Sequence, residues 1–475
     1  MSALFKSKES KIFFTVWIVY ILFISNYGGN WMEDSVLRLT MAIVDDQSVV
    51  IDRFVFKGIE DNAYFGGHYY SGFAPGDSFL AAPIYFVFKP IFTLLPHSFH
   101  GFPNVQLRLI LLNVIATVFV ASLLSALLAV LIYRLLGKFS DNESHKIFLT
   151  FTFSFATLFF VYSTSYSKDI LKTFFMFASF YILFNLRDRH CQNREGWLFF
   201  FSGLFVAFSV AMDYKMVIVI PLFIIYLFYV SKKKESLYFF LGLAIPLFML
   251  LLYDYVAFGN PFVTPYSYRN PAITNYYYTY GIMGMTYPNF ERIYWLMLSP
   301  FRGFFFYMPI MILSCIGIFL KFFSKDKRYN IEMLFILFLF LLLFYYNTSL
   351  VTAWDAGGSF GPRYLIPVVP FMIIPVIFVF DKIKLWIVGL FSLASFFVNF
   401  LGVLYGREAL WTVAQENKHI IFNTYIPFLF DRGLTNYTLN LIKFKIYDIP
   451  VYTINIIMLF LLFVLFLFLW WVWKK

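Results

Sequence analysis

The residues best suited to chemistry in this 475-residue chain are two arginines, a Lys-Asp pair and a run of acids. Arg302 stands in Ser299-Pro300-Phe301-Arg302-Gly303, and Arg363 in Trp354-Asp355-Ala356-Gly357-Gly358-Ser359-Phe360-Gly361-Pro362-Arg363-Tyr364. Each falls at the mouth of an apolar segment, where a guanidinium is costly unless paired and suits bidentate binding of phosphate. Glycines around Arg363 let backbone approach a ligand closely. The acids are Glu33, Asp34, Asp45, Asp46, Asp52, Glu60, Asp61 and Asp77, all in the stretch 28–104, and Lys168-Asp169 follow in a short link between two apolar segments. A carboxylate beside a hydroxyl is a general base, and fixed cations stabilise a departing anion. Structural roles compete with this reading. Asp34 can cap a helix, Arg363 can pair with Asp355, and the tyrosines of 258–303 (Tyr266, Tyr268, Tyr276, Tyr277, Tyr278 and Tyr280, beside Arg269) suit a membrane interface as well as a sugar.

These residues have to be held by a membrane-embedded scaffold. The chain is 61% apolar and 13% charged, against about 45–50% and about 25% for soluble proteins. That excludes an ordinary soluble enzyme, a disordered chain and a basic nucleic-acid binder; two cysteines exclude a disulfide scaffold. Apolar segments long enough to span fall at 12–27, 105–133, 147–163, 170–186, 197–212, 216–230, 237–257, 304–320, 331–347, 364–380, 385–405 and 453–473. The sequence therefore predicts an all-α polytopic membrane protein with about 12 spans in a single domain, 1–475. Asp213 and Lys215 split 197–230 into two short helices at a polar bend, and 79–95, broken by Pro83, Lys89, Pro90 and Pro96, is expected to lie in the interface. Outer loops are expected at 28–104, 258–303, 348–363 and 406–452, with a short helix at 35–44 that sets Asp34 one turn before Arg38.

Charge gives the orientation. The loops 6–11, 134–146, 187–195, 232–235, 321–332, 381–384 and 474–475 hold 20 of the 37 basic residues and nine of the 26 acids. The whole net charge of +11 therefore resides there, and the remaining 17 bases and 17 acids cancel. By the positive-inside rule these loops, and both termini, face the cytoplasm. The first apolar segment follows three lysines and ends in Ser25-Asn26-Tyr27-Gly28-Gly29-Asn30 with no cleavage pattern, so it reads as an uncleaved signal anchor. Trp470, Trp471, Trp473, Lys474 and Lys475 form an interfacial anchor. The membrane is the inner or plasma membrane, or the endoplasmic reticulum of a eukaryote.

Other chemistries find little support. There is no Walker A sequence and no H-E-x-x-H, the histidines at 68, 97, 100, 145, 190 and 419 are scattered, and Cys191 and Cys315 lie on different levels. The sequons at Asn347 and Asn436 depend on the host. A transporter or flippase of lipid-linked sugars is the rival function; it would place ionisable residues near the bilayer midplane, where Asp213, Lys215 and Asp254 are the candidates. A polymerase or ligase using a lipid pyrophosphate is a third reading.

A signal anchor, an acidic first outer loop, an acid in the next outer loop and about a dozen spans resemble the GT-C glycosyltransferases, which include the protein O-mannosyltransferases and the aminoarabinose transferases of lipid A. Local strings strengthen the resemblance: Arg38-Leu39-Thr40-Met41-Ala42-Ile43-Val44-Asp45 with Ile51-Asp52; Gly67-His68-Tyr69-Tyr70-Ser71 through Ala74-Pro75-Gly76; Ser299-Pro300 through Arg302-Gly303; and Gly361-Pro362-Arg363-Tyr364. The resemblance implies a polyprenyl- or dolichyl-phosphate sugar donor, a protein, lipid or polysaccharide acceptor at the outer face, and a role in protein glycosylation or the cell envelope. It implies that Asp34 or Glu33 is the base, with Asp45 also open. Asp169 matches the second-loop acid, and Arg363 and Arg302 match basic positions near the donor phosphate. Lys168, His68, Tyr364 and Asp45 complete the expected substrate contacts. Phe73 stands where relatives often carry lysine. No cofactor is required, although the acid-rich loop could hold a divalent metal; no nucleic acid is expected, and membrane lipids are.

Overall fold

The structure, a computed structural model, describes residues 7–25, 31–55, 61–99, 102–187, 196–231, 233–269, 284–351, 354–406, 419–435 and 450–474. Tyr276, Tyr277, Tyr278, Tyr280, His100, His190, Cys191, the sequon at Asn436, Asn26–Asn30 of the anchor and the inward-loop residues Lys6, Arg189, Arg194, Lys232 and Lys475 lie outside the described residues.

In chain order come α1 (Lys8–Leu22), α2 (Trp31–Asp45), a hairpin of β1 (Asn62–Phe65) and β2 (His68–Ser71), and α3 (Gly76–Phe92). The two-residue strands β3 (Ser98–Phe99) and β4 (Phe102–Pro103) lead into α4 (Asn104–Ala116), α5 (Leu123–Leu136), α6 (Glu143–Phe155), α7 (Leu158–Tyr162), α8 (Lys168–Arg187) and α9 (Gly196–Met212). After them run α10 (Ile220–Val230), α11 (Lys233–Phe258), α12 (Phe290–Met297), α13 (Phe304–Tyr307), α14 (Ile310–Phe323), α15 (Asn330–Ser349), α16 (Val369–Met372), α17 (Leu385–Tyr405), α18 (Ile426–Arg432) and α19 (Val451–Lys474).

Among the described residues six helices are long and apolar enough to cross a membrane: Asn104–Leu136, Lys168–Arg187, Lys234–Phe258, Asn330–Ser349, Leu385–Tyr405 and Val451–Lys474. The chain is thus an all-α, multi-pass membrane protein. The first of these helices joins α4 to α5 through a π-turn at Thr117–Ser122. The other expected spans are shorter or interrupted. The segment 147–163 breaks between α6 and α7, and 304–320 breaks at Met308-Pro309. The segment 364–380 winds through 3₁₀ turns at Arg363–Val368 and Ile374–Val379, because Pro367, Pro370 and Pro375 supply no backbone donor. The stretch 197–230 bends at Asp213 as its charge predicts, and α3 carries Pro83 and Pro90 inside it.

Packing follows small residues. A Cβ added at Gly203 of α9 would lie 1.9 Å from the Phe239 carbonyl oxygen of α11, and one at Gly242 would lie 1.9 Å from that of Phe200. The two backbones touch, as they do where glycine lines helix interfaces in lipid. The helix α19 buries Ile454, Met458 and Val472 and turns Ile456, Phe460, Phe463 and Phe466 outward, a face suited to lipid.

The expected inward loops gather at one end of the bundle. Lys8 pairs with Glu143 at 3.0 Å, Arg134 with Glu9 at 3.7 Å and Arg187 with Glu332 at 2.6 Å. The Tyr329 hydroxyl donates to the Lys138 carbonyl oxygen at 3.0 Å. The acids and arginines of interest collect elsewhere.

Candidate active site

Four elements meet at the site. The first turn of α2 carries Glu33 and Asp34, both buried. Serines fix this helix to the chain on both sides of the hairpin: the Ser35 hydroxyl donates to the Asp61 carbonyl oxygen at 3.0 Å and accepts from the Gly72 N–H at 3.0 Å, and the Ser78 hydroxyl donates to the Val36 carbonyl oxygen at 2.7 Å. Asn113 of α4 donates to the Glu33 carboxylate at 3.1 Å and orients it.

The second element is the start of α8. Lys168 and Asp169, expected in a short link, form its first turn, with Asp169 fully buried. Lys172, one turn on, binds Asp169 at 2.6 Å and Asp213 at 2.8 Å, while Lys168 stands 3.9 Å from Asp213 and 4.6 Å from the centre of the Phe73 ring. Asp213 caps the 3₁₀ turn Tyr214–Val219 by accepting from the Lys215 N–H at 3.4 Å. A bend that sequence reads as a mere break between helices is therefore the anchor of a buried ion cluster.

Third is α3. A Cβ at Gly76 would fall 2.5 Å from the Ala211 carbonyl oxygen, so only glycine lets α3 start against the end of α9. That contact brings the buried Asp77 to the cluster. Burial pushes the Asp77 carboxyl well above the ordinary carboxylate range; Lys168 opposes the shift and Asp213 adds to it. Tyr166 donates to the Asp77 carbonyl oxygen at 2.5 Å.

The fourth element is the loop before Arg363. Ala356 and Gly357 have φ of 61° and 60°, a left-handed turn that costs alanine strain and glycine little. The turn aims two carbonyls at Arg302, which donates to Ser359 and, at 2.7 Å, to Gly357. Asp355 accepts from the Gly357 N–H at 3.0 Å, so it stabilises the turn, and the partner of Arg363 is Asp169, at 3.5 Å. Tyr364 lies 4.0 Å below the Lys215 ammonium. Tyr162 holds the loop on α7, donating to the Phe360 carbonyl oxygen at 2.9 Å.

Glu33, Tyr162, Ser167, Ser359 and Arg363 line one narrow cavity of about 30 Å³, with Met32 and Gly406 in its wall. Of the residues expected at the site, Glu33, Lys168, Asp169, Arg302, Arg363 and Tyr364 thus come together, and Asp34 follows Glu33 on α2 as a buried neighbour in sequence. His68 and Asp45 do not join them. His68 sits exposed on β2, 2.7 Å from Asp52. Asp45 ends α2 and pairs with Lys89 at 2.9 Å and with Arg108, while accepting from Tyr85 at 2.9 Å. Lys172 and Arg108 are the charged residues that sequence reasoning missed. The Asp169–Lys172 spacing of one helical turn inside an apolar segment was the available signal for the first.

Among the described residues no three His, Cys, Asp or Glu side chains gather as a metal-binding group. No family model and no curated protein matches the chain. Among solved structures, the chain is similar to ArnT from Cupriavidus metallidurans in the apo state, with a TM-score of 0.47 and 13% identity over 90% of this chain and 76% of that one. It is similar also to ArnT from Cupriavidus metallidurans bound to undecaprenyl phosphate, with a TM-score of 0.47 and 12% identity over 88% of this chain and 72% of that one.

Proposed function

We propose that the protein is a glycosyltransferase that moves a sugar from a polyprenyl- or dolichyl-phosphate donor to an acceptor at the outer membrane face. The observation that supports this reading best is the convergence of Glu33 and Arg363 on one cavity, with Asp169 3.5 Å from Arg363. A base and a phosphate-binding cation lining one cavity are what glycosyl transfer from a lipid phosphate needs.

Glu33 or Asp34 takes the proton of the acceptor hydroxyl, whose oxygen bonds to the anomeric carbon as the bond from that carbon to the phosphate oxygen breaks. The electron pair leaves with the phosphate, which needs charge stabilisation and no proton. Arg363 supplies it, with Lys168 and Arg302 behind, an effect worth about 3–4 kcal/mol for a well-placed donor. Attack opposite the leaving group inverts the anomeric centre. Asp169 orients Arg363 and keeps its charge compensated before donor arrives. A cavity of about 30 Å³ admits no sugar, so donor entry displaces one of its walls. With the basic loops inside, this site faces outward and both termini lie in the cytoplasm.

Purified protein given a polyprenyl-phosphate hexose and membrane acceptors should release free polyprenyl phosphate. Asp34→Asn or Glu33→Gln, whichever removes the base, is expected to lower the rate by roughly 100-fold or more. Full activity in Asp34→Asn, Glu33→Gln and Asp169→Asn alike would place the site elsewhere. A flippase would draw on the same buried charges, Lys168, Lys172, Asp169 and Asp213; it would move labelled donor across a vesicle membrane and release no polyprenyl phosphate.

A further inference from the structure

A second charged pocket lies at the other end of α2. Asp45, Arg53, Lys89, Phe92, His97 and Arg108 line most of a cavity of about 450 Å³, within the roughly 300–1,000 Å³ of small-ligand pockets. Asp45 is its fixed centre, with a side chain only 7% exposed, and it is already shared by Lys89, Arg108 and Tyr85. Arg53 leans on Asp46 at 2.5 Å. Three permanent cations therefore face two carboxylates. Their charge is not used up: the Arg53 and Lys89 side chains are 63% and 42% exposed, and the Nε of Arg108 is buried without a hydrogen-bond partner.

The pocket opens beside an apolar surface. Phe86, Val87, Ile91 and Leu94, on α3 and just past its end, are 69%, 68%, 46% and 82% exposed, on the element that supplies Lys89 and Phe92. Prolines 83 and 90 inside α3 and Lys89 in its last turn suit a helix that lies at an interface better than one that spans. Its outward apolar residues belong at the acyl boundary, which sets Lys89 and Arg53 at headgroup depth.

We propose that this pocket seats the phosphate-bearing headgroup of an anionic membrane lipid. The phosphate bridges Arg53 and Lys89, with the Arg108 guanidinium adding positive charge from the pocket wall, and the acyl chains lie along Phe86, Val87, Ile91 and Leu94. The occupant is a lipid and not free phosphate, because charge and apolar surface are presented side by side. The site is separate from the cavity at Glu33: from Asp34 to Asp45 the helix rises about 16 Å.

Native mass spectrometry of the full-length protein, with dioleoylphosphatidylglycerol or dioleoylphosphatidylcholine added, tests this. The wild type should retain phosphatidylglycerol in preference to phosphatidylcholine. Lys89→Gln and Arg53→Gln, both at exposed side chains and expected to fold, should each lower that retention roughly fivefold. Lys234→Gln, in the first turn of α11, should leave it unchanged. Equal retention by wild type and both pocket variants would overturn the proposal. So would inorganic phosphate that binds lipid-free protein as tightly as the lipid does and is lost in the same variants.

Discussion

Lys172 holds two buried carboxylates with one ammonium, and this makes it the residue on which the site depends most heavily. Lys172→Met would leave Asp169 and Asp213 to share Lys168, Lys215 and Arg363 in a region that excludes water. Removing one partner of a buried ion pair commonly costs about 3–5 kcal/mol, and thermal unfolding in detergent should show a loss of that order. The double variant Lys172→Met/Asp213→Asn should lose less than its two single changes added, since it removes an opposed pair. Asp45 gives a pH-dependent counterpart. Burial raises its carboxyl, but Lys89, Arg108 and Tyr85 outweigh that and hold it below the ordinary carboxylate value. A depressed value in the folded state means that the stabilisation is complete above about pH 3.9, the unfolded value, and is lost as pH falls through the lowered one. The melting temperatures of wild type and Asp45→Asn should therefore differ by a constant amount from about pH 7 to about pH 5, and converge only in stronger acid. Convergence already near pH 6 would contradict the pairing.

At the scale of elements, backbone contact decides which helices can meet. Gly203 and Gly242 seat α9 and α11 on each other's carbonyls, and α9 in turn ends at Asp213, the anchor of the cluster. Gly203→Ala must push the helices apart, with an expected destabilisation of about 1–3 kcal/mol; fluorescence-detected size exclusion after heating is the check. Unchanged heat resistance would mean that the helices can separate freely. Several elements were legible in the sequence for clear physical reasons. The span 385–405 is α17 residue for residue, because an unbroken apolar run between loop charges has only one way to sit in lipid. The bend at Asp213 was legible because a carboxylate cannot sit unpaired in an apolar helix. The stretch 364–380 was not, since apolar composition alone does not separate an α-helix from proline-wound 3₁₀ turns. The partners of Arg363 were hidden for a related reason. Asp355 is near in sequence, yet the left-handed turn at Ala356 and Gly357 spends it on a backbone N–H, and the charge comes from α8.

Over the whole molecule, charge is sorted into two populations with different work. The basic loops that carry the net +11 pair with one another at one end, through Lys8–Glu143, Arg134–Glu9 and Arg187–Glu332. The balanced remainder supplies the buried cluster of α2, α3, α8 and the Arg363 loop, and that cluster was only half legible. Arg363 was legible because charge at the edge of a span demands a reason, and Glu33 and Asp169 were expected from the resemblance, whereas His68 and Asp45, expected beside them as substrate contacts, lie apart in space. Single cysteines at Gln47 and Lys234 should label from opposite sides of sealed vesicles, and labelling from one side would refute the orientation. The central claim is that the cavity between Glu33 and Arg363 receives a lipid phosphate. An experimental structure with polyprenyl phosphate bound tests it most directly: the phosphate is predicted to lie within hydrogen-bonding reach of Arg363, on the side facing Glu33. A phosphate held only by Arg53, Lys89 and Arg108, with the Arg363 cavity empty, would contradict the account.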